Sequence, residues 1–164
     1  MGDRIRAIQF YQQAQQIKDG KVPNANPAQA YQLLSTAVVT DPSFAMGWYE
    51  LSNANSDNLW RPAAVAAIRR ALELPDGTNG GDLSPEYRAK AISNLAHNLH
   101  HLGRNVEAKD LALKALKMDD KLANAWLTLS LIQNVQGNLG NAEISATRAM
   151  ALGRTPAIEI GLAF

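Results

Sequence analysis

The feature that most constrains this chain is a match of the sequence to itself at a spacing of 34 residues. Leu95, Gly103, Ala108 and Ala115 in NLAHNLHHLGRNVEAKDLALKALKMDD recur as Leu129, Gly137, Ala142 and Ala149 in TLSLIQNVQGNLGNAEISATRAMALG, with no insertion or deletion between them. A period of that length marks stacked helical units, each a helix pair that cannot bury its apolar faces alone. Such arrays supply binding surfaces and seldom any chemistry.

The spacing of apolar residues within a unit shows two amphipathic helices. Ile92, Leu95, Ala96 and Leu99 fall on one helical face, Gly103 offers the left-handed turn that ends the first helix, and Val106 to Met118 carries a second apolar stripe. The next unit repeats the pattern with Trp126, Leu129 and Ser130, then Gly137, then Leu139 to Leu152. The expected class is all-α: an α-solenoid of antiparallel helix pairs, with turns near Gly20, Leu59, Gly103 and Gly137 and no sheet.

On these residues the chain resembles the tetratricopeptide repeat (TPR) family. Its unit carries a Trp, a Leu and a small residue on the first helix, a Gly at the turn, small residues along the second helix and a Pro before the next unit. WYELS supplies Trp48, Leu51 and Ser52, and WLTLS supplies Trp126, Leu129 and Ser130. The small positions of the second helices are Ala64 and Ala71, Ala108 and Ala115, then Ala142 and Ala149, which accounts for much of the excess of alanine, 27 of 164 residues. The inter-unit Pro is present as Pro42, but Asp120 and Arg154 replace it later. The resemblance implies a TPR-like right-handed superhelix.

The whole chain, 1–164, reads as a single TPR-like domain: divergent repeat 1 over 1–42, repeat 2 over 43–75, a loop insertion over 76–84, repeat 3 over 85–121, repeat 4 over 122–153, and a capping segment or the start of repeat 5 over 154–164. Ile92, the counterpart of Trp48, follows it at a spacing of 44, ten more than one period, and the excess falls in PDGTNGGDLSP from Pro75 to Pro85. In the first unit, Ile5, Ile8 and Tyr11 begin a helix that stops near Gly20, and KVPNANP delays the second helix to about Pro27–Val39. The tail AIEIGLAF, with Ile158, Ile160, Leu162 and Phe164, begins what looks like a further first helix. It is expected to be the opening of a fifth unit in a longer protein, with a short cap on the fourth as the alternative.

Composition narrows the classes of partner. The formal net charge is +1, and no four Lys or Arg residues cluster, so the several convergent cations that phosphate binding needs are missing and no nucleic-acid partner is expected. There is no cysteine, which rules out disulfides and thiolate metal sites. No run approaches eighteen apolar residues and the N-terminus has no apolar signal core, so no membrane insertion is expected. The cytoplasm is favoured, with the periplasm open if a signal has been removed.

Four constellations could carry function. His97, His100 and His101 are the three histidines of the chain, and the first and last share a helix face, but two imidazoles with no acidic residue within a turn make a poor metal site, so no metal is expected. The loop Asp76 to Asp82 lacks the alternating acidic ligands and closing Glu of a calcium loop, and no cofactor is expected elsewhere. Trp48 and Trp126 should pack between helices, whereas Trp60, before Arg61 and Pro62, should close a core at the second turn, with an exposed interface anchor as the alternative, and Pro62 should start the next helix.

The fourth constellation follows from the family resemblance, which implies that first helices line a concave groove. There it places Tyr49 and Asn53 in repeat 2, Lys90, Asn94, His97, Asn98 and His101 in repeat 3, and Asn124, Thr128 and Asn134 in repeat 4. Asparagine predominates, and amides can grip an extended peptide backbone. A carboxylate clamp is poorly matched, since only Lys90 supplies charge, and the asparagine ladder of O-linked glycosyltransferase repeat domains is met only at Asn94, with Glu50 and Thr128 at the equivalent rungs. No phosphate loop or nucleophile motif is present, so this segment is not expected to be an enzyme. The expected function is an interaction scaffold that binds a peptide or partner domain in its groove. Two alternatives stand beside it: the non-catalytic repeat region of a larger enzyme such as an O-linked glycosyltransferase, and a self-assembling module that forms a homo-oligomer through its exposed repeat ends.

Overall fold

The structure is a computed structural model that describes residues 2–75 and 82–153. The calcium-loop reading, except for Asp82, and the readings of the tail 154–164 lie outside the described residues. Among the described residues every regular element is a helix. In chain order these are α1 (Gly2–Lys18), α2 (Pro27–Thr40), α3 (Ala45–Asp57), α4 (Arg61–Glu73), α5 (Pro85–His101), α6 (Asn105–Met118), α7 (Ala123–Val135) and α8 (Leu139–Ala151).

The chain divides into two compact units, 1–84 and 85–164. In the first, α1 pairs with α2 and α3 with α4, while α2 and α1 both touch α3. The second repeats this plan: α5 pairs with α6 and α7 with α8, and α6 and α5 both pack on α7. The tie between α1 and α3, and between α5 and α7, sets first helices side by side, as a stack of helix pairs requires.

All four expected turns occur where the chain needs a positive φ: Gly20 at 70°, Leu59 at 62°, Gly103 at 78° and Gly137 at 77°. Each closes with the same pair of bonds that caps a helix ending in a left-handed residue. Gly103 N–H donates to His100 O at 2.9 Å and Arg104 N–H to Leu99 O at 2.9 Å, and the same pattern joins Gly137 to Asn134 and Asn138 to Gln133. The backbone carbonyls left over at the end of the first helix are thereby satisfied before the second begins.

The alanines explain how closely the helices approach. Ala64, Ala71, Ala108, Ala115, Ala142 and Ala149 are all buried, as are Ile92, Leu95, Ala96 and Leu99. Ser52 Oγ donates to Ala64 O at 2.7 Å, and the equivalent Ser130 Oγ to Ala142 O at 2.9 Å, so a hydroxyl on the first helix fastens the second. Ala96 holds that place in the third repeat and makes no such bond.

The tryptophans tie successive repeats together. Trp48 Nε1 donates to Pro42 O at 2.9 Å and Trp126 Nε1 to Asp120 O at 2.8 Å, so both indoles grip the link through which the chain arrives from the preceding helix. The same links carry Asp41 and Asp119, whose Oδ1 atoms accept from the backbone N–H two residues on, Ser43 at 3.0 Å and Lys121 at 2.9 Å. Replacement of Pro42 by Asp120 therefore leaves the link geometry intact, because the carboxylate and the indole define it.

Two expectations are corrected. Trp60 does not close a core: it is 54% exposed, with its ring edge-on to Tyr31 at 5.7 Å between centroids. Pro62 does stand in the first turn of α4, but the tryptophan before it lies outside the helix and points to solvent. Val106 and Leu139, at the heads of α6 and α8, are likewise exposed and stand outside the buried stripes.

Candidate partner-binding surface

The first helices of the second unit bring most of the expected groove residues together. On α5, Asn94, His97 and His101 recur at helical spacing, and the His97 and His101 rings meet edge-on with centroids 4.5 Å apart. His97 Nδ1 lies 3.4 Å from Thr128 Oγ1, so one imidazole bridges from α5 to α7. His100 turns the other way, onto Asn105 Oδ1 at 2.7 Å, and shares in closing the α5–α6 turn.

Several of the predicted residues serve the fold before they serve a partner. Asn98 is buried, and its Nδ2 donates to Asn94 O at 2.8 Å, back onto its own helix. Thr128 and Tyr49 are also buried. These three positions shape the surface from beneath. Asn53, Lys90, Asn94, His97 and Asn124 are half-buried and His101 and Asn134 exposed. Tyr49 and Asn53 belong to α3 in the first unit.

The charge of the face differs from the sequence reading. Lys90 Nζ pairs with Glu86 Oε1 at 3.1 Å and lies 4.9 Å from the centroid of the Tyr87 ring. A Glu four residues before a Lys is the favourable orientation of such a pair, and the pattern PEYRAK shows it. Glu50 on α3 is matched in the same way by Lys18 on α1, at 2.5 Å. Lys90 and Glu50 are thus each matched by an opposite charge, and amides and imidazoles make up most of the remaining polar groups expected on α5 and α7.

Some polar atoms on these helices remain without partners. Asn124 Oδ1 on α7 and Ser93 Oγ on α5 are buried and accept or donate no hydrogen bond among the described residues. A buried polar atom without a partner costs free energy on the order of 1–3 kcal/mol, and structures rarely leave one without reason. Among the described residues no three His, Asp or Glu side chains are placed to hold a metal ion, and no helix is long and apolar enough to cross a membrane.

Comparison with solved structures agrees with this architecture. A crystal structure of MamA superposes with a TM-score of 0.67 at 21% identity, covering 89% of this chain and 77% of that one. A hetero-tetramer of Cut9 and Hcn1 from APC/C superposes with a TM-score of 0.75 at 16% identity, covering 93% of this chain and 28% of that one. The fold is a tetratricopeptide-like helical repeat. No family model and no curated protein matches the chain by sequence. At such low identity the likeness concerns the fold alone.

Proposed function

We propose that this chain is a non-catalytic interaction scaffold whose first-helix face on α5 and α7 holds an extended, acidic peptide. The observation that carries the reading is the pairing of the His97 and His101 rings, 4.5 Å apart on α5, with His97 Nδ1 reaching Thr128 Oγ1 on α7 at 3.4 Å. The amides of Asn94 and Asn124 lie on the same pair of helices. Asparagines supply both donors and acceptors, so they can follow a backbone without demanding particular side chains.

The preference for an acidic peptide rests on the imidazoles. Glu86 already neutralises Lys90, so the charge this face can gain is that of His97 and His101. Their ring N–H groups can donate to carboxylates, which fits an acidic peptide. The test selects the best binder from a random decapeptide library and titrates it against the parent, Asn94→Ala/His97→Ala and Lys109→Ala/Lys114→Ala. The first double variant should weaken binding about tenfold or more, since each lost charged or buried hydrogen bond is worth about 1 kcal/mol, and the second should leave it unchanged. Equal affinities for all three proteins would remove this face as the binding site.

A further inference from the structure

The connection from α1 to α2 departs from the plan of the other turns. It runs over residues 19–26, eight in all, where the three other first-to-second connections, 58–60, 102–104 and 136–138, take three each. The longer path is held in one shape. Asn26 Oδ1 accepts from Ala28 N–H at 3.0 Å while Gln29 Oε1 accepts from Asn26 N–H at 3.1 Å, a reciprocal cap on α2, and Asn24 takes a positive φ of 58°.

The detour leaves a cavity of about 390 Å³ between α1, α2 and α3. Its apolar wall comes from Ile17, Ala30, Leu34 and Ala54. The volume is at the low end of the ~300–1,000 Å³ range of ligand sites, which suits one large side chain better than a cofactor. Tyr31 lines it, and the exposed Trp60 ring stands edge-on to Tyr31 at 5.7 Å between centroids. Exposed tryptophans beside a pocket are the residue type most enriched among the dominant contacts of protein interfaces.

The polar lining decides what can enter. Lys18 lines the cavity but is held by Glu50, so the two charges cancel. Asp57 also lines it, is exposed, and makes no hydrogen bond or ion pair among the described residues. Arg61, one turn away on α4, interacts with the Asp57 charge, and its guanidinium donates to Ser56 Oγ at 3.0 Å. Apolar side chains, the Tyr31 ring and the Asp57 carboxylate in one lining are complementary to a ring beside a cation. We propose that this cavity is a docking pocket for a partner peptide in which an aromatic side chain stands next to a lysine or arginine. It belongs to the first unit and does not depend on the function proposed for the α5–α7 face.

The probe is the blocked hexapeptide Ser-Ser-Phe-Lys-Ser-Ser, titrated against the full chain and followed by the Trp60 indole N–H resonance. The Phe-Lys peptide should shift that resonance. Replacing its Phe by Ser should weaken binding about tenfold or more, the effect of losing one buried aromatic side chain. Replacing its Lys by Glu should weaken it about fivefold, the scale of one exposed charge pair, and Asp57→Asn should abolish that discrimination. Ala54→Phe, which fills the cavity, should prevent binding while helix content by circular dichroism stays unchanged, and Asn94→Ala/His97→Ala should bind as the parent does. The proposal is overturned if the Trp60 resonance does not respond, if the three peptides bind alike, or if Asp57→Asn keeps the preference for Lys over Glu. Loss of binding in Asn94→Ala/His97→Ala would equally overturn it, by assigning the peptide to the other face.

Discussion

Leu59 takes the left-handed conformation that glycine takes at the other three hairpin turns. Its φ of 62° costs an L-residue about 1–2 kcal/mol, and its side chain, 71% exposed, recovers little by packing. Leu59→Gly should therefore stabilise the chain by about 0.5–1 kcal/mol after the extra freedom of glycine in the unfolded state is subtracted, read as a higher urea midpoint. Gly137→Val should act in the opposite sense. No atom lies within 4 Å of a Cβ built at Gly137, so its cost, about 1–2 kcal/mol, is the backbone's alone. Asp41 offers a test in pH. Burial pushes its carboxyl up, but the Ser43 hydroxyl, the Arg4 guanidinium and the Ser43 backbone N–H together hold it below the ordinary 3.8. A carboxyl lowered by folding contributes stability above its unfolded value and loses it as pH falls through the folded value. Asp41→Asn should thus be less stable than the parent at pH 7, with the gap narrowing below about pH 4. A gap of constant size from pH 7 to pH 2.5 in chemical denaturation would show that the Arg4–Asp41 contact does not act through charge.

At the scale of elements, the ends of the second helices are informative. Val38, Leu116 and Met150 occupy the same repeat position, and their exposures are 3%, 9% and 44%. The first two are covered because α3 packs on α2 and α7 on α6. The exits differ too: the chain leaves α2 and α6 through extended Asp41 (φ −137°) and Asp119 (φ −150°), but leaves α8 through Gly153 at φ 83°. Backbone amides of α8 should accordingly exchange with solvent faster than those of α6, and equal protection would mean that α8 is covered in solution. The helix pairs and their turns were legible because the apolar period and the glycines report local backbone geometry. The surface was less legible. The burial of Asn98 and Thr128 depends on how α5 meets α7, which no spacing within one helix records. The Glu86–Lys90 pair could have been read from the i, i+4 rule, since both residues lie on one helix. The exposure of Trp60 could not, because it depends on where Tyr31 lies, 29 residues earlier in the chain.

At the scale of the molecule, each unit holds two helix pairs with its own buried apolar residues. Leu34 on α2 and Leu99 on α5 are both fully buried. Each contributes to a different unit, 1–84 or 85–164. Truncating a buried leucine costs about 2–5 kcal/mol through lost burial and the cavity left behind. In a repeat protein stability is roughly a sum of unit terms and nearest-neighbour terms, so a local loss need not spread over the whole chain. Leu99→Ala should therefore accelerate amide exchange in α5–α8 far more than in α1–α4, and Leu34→Ala should do the reverse. If either substitution accelerated exchange equally in both sets of helices, the two units would be one cooperative structure. Peptide binding at the α5–α7 face would then be coupled to the stability of the first unit. Confinement of each effect to its own unit would instead mean that the α5–α7 face and the pocket beside Trp60 can be loaded and destabilised independently, each governed by its own pair of hairpins.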